Sequence, residues 1–144
     1  DFGIYYATPE NPVIIFDDFT TSFHWVDFNF KVKSSAMKIL KLKNRDVAIL
    51  RFLFYMMHTI NYVPIEHTRQ WIEKYSKFKI PLPPLPIQEY IVHILDNFTT
   101  LISDLEIEIN MRKQQYEYYM DKLLTFDNLQ EPTIYCLKSQ PPTT

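Results

Sequence analysis

Hydrophobic and polar positions divide the chain into a stretch of short, mixed periods and a stretch of one long period. Residues 13–17, VIIFD, are an apolar run rich in branched side chains, and residues 23–32, FHWVDFNFKV, alternate bulky apolar and polar positions at period two. Both patterns predict strands. The DFTTS between them is polar enough to turn and too long for a tight hairpin. Residues 38–42, KILKL, predict a third short strand with Ile39 or Leu40 facing inward. Asn44 precedes a segment in which Val47, Leu50, Phe54, Met57 and Asn61 recur at spacings of three and four, which predicts a helix capped by Asn44 and ending near Ile60. The mixed charged and aromatic residues 64–80 predict a helical turn and then a final strand at 77–80. The fold class is α+β: a small mixed α/β domain with a twisted sheet over residues 1–80.

Beyond this domain the pattern changes. Ile91, Leu95, Phe98, Ile102, Leu105, Ile109, Arg112, Tyr116, Tyr119, Leu123 and Phe126 follow one another in alternating steps of four and three, a heptad seam of about five repeats. A helix over 87–126 at 1.5 Å per residue would be about 60 Å long, more than a small domain can cover, so it predicts a coiled-coil partner. Between the two parts, residues 81–86, PLPPLP, predict a stiff strut, because proline locks φ and holds its predecessor extended. A proline-rich ligand for an adaptor domain would need flexible flanks, and here both flanks are predicted to be ordered. Residues 127–144 have no period and predict a disordered tail.

Composition narrows the chemistry. The one glycine, Gly3, rules out a phosphate-cradling glycine loop. The one cysteine, Cys136, cannot form an internal disulfide, and no leader or long apolar run is present; a cytoplasmic, reducing setting without membrane insertion is expected. Net charge is −2, but residues 1–80 carry eleven Lys and Arg against eight Asp and Glu, whereas residues 81–144 carry four against nine. The positive charge is concentrated in Lys31, Lys33, Lys38, Lys41, Lys43, Arg45 and Arg51. Such a block suits a polyanion-binding face, and a lysine-guarded strand edge has the same appearance in sequence. His24, His58, His67 and His93 have no metal-type spacing with one another or with Cys136. Asp17 with Asp18, and Glu106 with Glu108, read as solvated acids rather than as an acid and base pair.

The stretch IPLPPLPIQEYIVHILDNFTTLISDLEIEINMRKQQYEYYMDKLLTF resembles the conserved helical region of the specificity subunits of Type I restriction-modification systems. Ile80, Pro81, Pro83, Pro84, Leu85, Gln88, Ile91, Ile94, Leu95, Asp96 and Phe98 match its proline junction and helix start. Arg112, Lys113, Gln115, Tyr116, Tyr118, Tyr119, Asp121, Leu123, Leu124 and Phe126 match its end. VIIFDDFTTSFHWVDFNFKVKSSAMKIL and IEHTRQWIEKYSKFKIPLPPL are similar to the closing part of a target recognition domain of that family. The resemblance covers about residues 12–127 and implies a shortened half of a subunit that ordinarily has two recognition domains and two such helices.

The resemblance implies a non-catalytic protein that binds double-stranded DNA, docks methyltransferase subunits and pairs its helix with a second copy or another specificity half. S-adenosylmethionine, ATP and Mg would sit on partner subunits, and no cofactor on this chain. Candidates for base readout are His67, Arg69, Gln70, Lys74 and Lys77, since Arg suits guanine and Gln suits adenine in the major groove. Lys31, Lys33, Lys38, Lys41 and Lys43 suit phosphates, where a point charge suffices. Trp25 and Trp71 read as core. The alternative is a truncated remnant that keeps the helix as an assembly or decoy component and reads no DNA.

Overall fold

The computed structural model describes residues 3–64 and 68–125. The expected tail, Cys136, Phe126 and His67 lie outside them. Two compact units are present, one through Phe98 and one from Thr99.

In the first unit, β2 (Val13–Asp17) lies between β3 (Phe23–Val26) and β5 (Met37–Leu40), antiparallel to both. Ile14 stands opposite Trp25 and Leu40, and Ile15 opposite His24 and Ile39. Period two then sends Ile14, Phe16, Phe23, Trp25 and Leu40 to one face. They pack there against Leu50, Phe54, Met57, Trp71 and Tyr75 from α1 (Leu50–Met57), α2 (Gln70–Glu73) and the 3₁₀ turn Tyr75–Lys77. The other face, with Val13, Ile15, Val26 and Ile39, packs against Ala7, Tyr5 and Phe30. Tyr5 and Phe30 come from β1 (Ile4–Tyr5) and β4 (Phe30–Lys31), an antiparallel pair in a separate sheet. Ile39 and Leu40 both face inward, because the sheet is covered on both sides.

Four local expectations change. The strand foreseen over 23–32 is two strands in different sheets, because the chain turns at Asp27–Asn29 and Phe30 pairs with Tyr5. Alternation alone cannot reveal such a switch of partner. Asn44 does not cap α1: its side chain accepts from the Asp46 amide at 2.8 Å, closing a local turn, and the helix starts at Leu50 after the extended residue Ile49. No strand forms at 77–80, since the amides of Lys77 and Phe78 bond back to Lys74 and Tyr75 and Pro81 has no amide to give a ladder. Asp17 and Asp18 are not a solvated pair: Asp18 is fully buried and Asp17 is half-buried. Asp17 accepts from the amides of Phe19 and Thr20, both at 2.8 Å, in a turn that holds Thr21 at a left-handed φ of 58° where no glycine is available.

The longest element is α3 (Leu85–Leu124), 40 residues and about 60 Å. It starts inside the proline stretch: the Pro84 carbonyl accepts from the amides of Ile87 and Gln88, and Pro86 is tolerated because a first-turn residue needs no amide partner. From Asn97 to its end every residue of α3 is exposed in the single chain.

Candidate functional site

The structure divides the basic residues by what their charges meet. Lys38, on β5, is partly buried; its ammonium lies 3.3 Å from the fully buried Asp18 carboxylate and donates to the Ser35 carbonyl at 3.0 Å. The other Asp18 oxygen accepts from the Trp71 amide at 2.7 Å, and the Asp18 carbonyl accepts from the Gln70 amide at 2.8 Å. Asp18 thereby ties the end of β2 to α2 and β5. Its Oδ2 has no hydrogen-bond partner in strict geometry, but the Lys38 ammonium balances its charge.

Gln70 is almost fully buried. Its side-chain Nε2 donates to the Thr68 carbonyl at 2.9 Å, and its Oε1 accepts from the Tyr62 hydroxyl at 2.5 Å. Lys38 and Gln70 are therefore engaged within the fold, Gln70 buried and Lys38 partly exposed with its ammonium held by Asp18 and Ser35. Lys31, Lys33, Lys41, Lys43, Arg69, Lys74 and Lys77 are exposed. Arg69 reaches Ser35 at 3.0 Å, so it lies beside the Lys38 and Asp18 cluster. Trp71 stacks on Tyr75 and meets Phe16, a core role.

Lys41, Arg45 and Arg51 come together around a cleft of about 420 Å³, walled by Trp25 and Pro12 and rimmed by Glu10. Lys41 lies over the Tyr5 ring at 5.0 Å and Arg45 donates to Asn11 at 3.0 Å. The Arg51 guanidinium is 4.7 Å from the Trp25 ring centre, and its Nε donates to Asp96 of α3 at 2.7 Å. Glu10 is held below the usual carboxylate range by its own backbone amide and by the Thr8 hydroxyl, so an anion stays at this cationic rim.

Along α3, Ile91 and Leu95 are half-buried within the first unit. The remaining seam positions, Phe98, Ile102, Leu105, Ile109, Arg112, Tyr116, Tyr119 and Leu123, are all exposed. Arg112 finds its partners on its own helix, Glu108 at 3.4 Å and Gln115 at 3.1 Å. Leu105, Ile109, Tyr116 and Met120 line one apolar strip with it. Exposed Ile107, Met111 and Tyr118 lie off this seam, giving the helix a second apolar face.

Sequence reasoning missed two polar residues that the structure buries or engages. Asp18 continues the inward alternation of Ile14 and Phe16, and Gln88 continues the seam backward from Ile91 and Leu95. Each pattern was the available signal for a buried polar group.

Among the described residues no helix is long and apolar enough to cross a membrane, and no three His, Cys, Asp or Glu cluster as a metal site would need. Residues 5–112 match the family model of the Type I restriction modification DNA specificity domain. The chain is 49% identical over 133 residues to the specificity subunit of the Type I restriction enzyme EcoR124I/EcoR124II of Escherichia coli, a match spanning 86% of this chain and 33% of that protein. It is 31% identical over 137 residues to the EcoprrI specificity subunit of the same species, covering 82% of this chain and 34% of the relative. This chain thus spans about a third of the length of these relatives, and no solved structure matches it. With a specificity domain matched over most of its length, the chain belongs to the DNA specificity family of Type I restriction-modification systems.

Proposed function

We propose that this chain is a DNA sequence-recognition half of a Type I restriction-modification complex. It lays the exposed basic face of its first unit on duplex DNA, pairs α3 antiparallel with the same helix of a second copy, and docks methyltransferase subunits. The carrying observation is the specificity-domain match over residues 5–112, which takes in both the exposed lysines and most of the unpartnered seam. In this reading Lys31, Lys33, Lys41 and Lys43 contact phosphates, and Arg69, Lys74 and Lys77 lie where base edges are read. Lys38 and Gln70 shape that surface from within. The chain binds and measures; S-adenosylmethionine, ATP and Mg act on the partner subunits.

A gel-shift titration with duplex DNA, with and without methyltransferase subunits, tests the proposal. Binding should weaken with salt, and the slope of log K against log salt should fall by about one for each phosphate lysine replaced by alanine. Glu10→Gln should tighten binding by removing an anion from the cleft rim. No shift in either mixture overturns the reading.

A further inference from the structure

The first turns of α3 carry two polar side chains, Gln88 and Asp96, that bond to α1 and the residues before it. Gln88 is fully buried. Its Oε1 accepts from the Ile49 amide at 3.0 Å, and its amide group donates to the carbonyls of Val47 at 3.0 Å and Pro83 at 2.7 Å. Ile49 is the N-cap residue of α1 and has no side chain able to cap. In a capping box, a glutamine in the helix's own first turn reaches back to the N-cap amide. Here a glutamine from another helix makes that bond, so the start of α1 is completed by α3.

Two turns further on, Asp96 accepts from Arg51 Nε at 2.7 Å and from the Tyr55 hydroxyl. Arg51 and Tyr55 are one turn apart on α1 and share a face. The same guanidinium covers Trp25 of β3, which stands opposite Ile14 in the sheet. The links run without a gap from α3 through Asp96, Arg51 and Trp25 to the central strand, and Arg51 and Trp25 also line the cationic cleft.

Resting on the proposed function, we propose that Gln88 and Asp96 are positioning residues that make residues 85–98 of α3 an integral part of the DNA-reading unit. The strut alone cannot do this: a proline run restrains its own φ angles but makes no bond to α1. Gln88 and Asp96 fix α3 against the helix and sheet that carry the cleft. Each recognition unit is then rigid with its helix start, and the distance between two half-sites read by a pair has one value.

Two measurements on the full chain test this. Amide hydrogen exchange followed by mass spectrometry should show residues 85–98 as protected as β2 in the wild type. Asp96→Asn and Gln88→Leu should accelerate exchange in 85–98 by roughly tenfold or more, the size expected for losing a charged or buried hydrogen bond. Arg51→Leu with Asp96→Leu, which substitutes an apolar contact for the ion pair, should restore much of the protection. Unchanged exchange in 85–98 overturns the assignment.

The second measurement selects bound duplexes from a randomised library, with methyltransferase subunits present. Wild type should enrich two half-sites at one spacing, and the Asp96→Asn and Gln88→Leu variants the same half-sites at several spacings. Variants that keep a single spacing, or that choose different half-site sequences, overturn the positioning role. A wild type that enriches nothing removes the proposed function instead, while the exchange result still stands or falls alone.

Discussion

Residues 3–98 and residues 99–124 are both rich in large apolar side chains, yet they treat them in opposite ways. In the first unit Val13, Ile14, Phe16, Phe52 and Met57 are removed from water by neighbours in the same chain. In the second, Leu105, Ile109, Tyr116, Tyr119 and Leu123 are each about half exposed or more, and every other described residue there is exposed as well. A sheet with cover on two sides closes its own core. A lone helix has no inside, so its seam must find a surface elsewhere or remain wet. The first unit is therefore expected to hold its structure alone, and the second to depend on association.

The sharpest break of this contrast is Ile102→Asp combined with Ile109→Asp. Sedimentation should show an associating wild type at micromolar concentration and a monomeric variant, with helical ellipticity falling by most of the α3 contribution. A monomeric wild type with an intact helix would abolish the contrast.

Phe16→Ala attacks the other side. Removing a fully buried ring should cost about 4 kcal/mol in urea unfolding of the first unit. Association through α3 should persist.

Asp18→Ala should cost about 3 kcal/mol, since it leaves the Trp71 amide unbonded and the Lys38 ammonium partly buried without its carboxylate.

Tyr75, largely buried, has its hydroxyl pKa raised by desolvation. Its contribution is complete below the ordinary tyrosine value of about 10 and is lost as pH climbs through the higher folded value. Tyr75→Phe should flatten this alkaline loss of stability in a pH series.

The smallest effect belongs to Arg112→Leu. Its exposed partners lie on the same helix, so the ion pair is worth less than about 0.5 kcal/mol. A change of oligomeric state in this variant would show that the arginine acts across the seam.

Between the two regions, residues 85–98 follow the period of the long helix but pack as part of the first unit, and the legibility of the sequence follows the same gradient. The strands at 13–17 and 38–40 and the long helix were readable because each has one unbroken period. The split of 23–32, the late start of α1 and the missing strand at 77–80 were not, because each turns on which distant backbone group completes a hydrogen bond. Among the candidate site residues, exposed lysines such as Lys41 and Lys43 look the same in sequence as Lys38, and only Asp18 distinguishes them.

By itself the sequence determined the class of fold, the existence of a long seam and the concentration of positive charge ahead of it, because period and composition are local properties of a chain. Tertiary structure decided which charges remain available, which glutamines are buried and which helix completes the start of α1. Those depend on residues dozens of positions apart, as Gln88 is from Ile49 and Asp96 from Arg51, meeting at hydrogen-bonding distance.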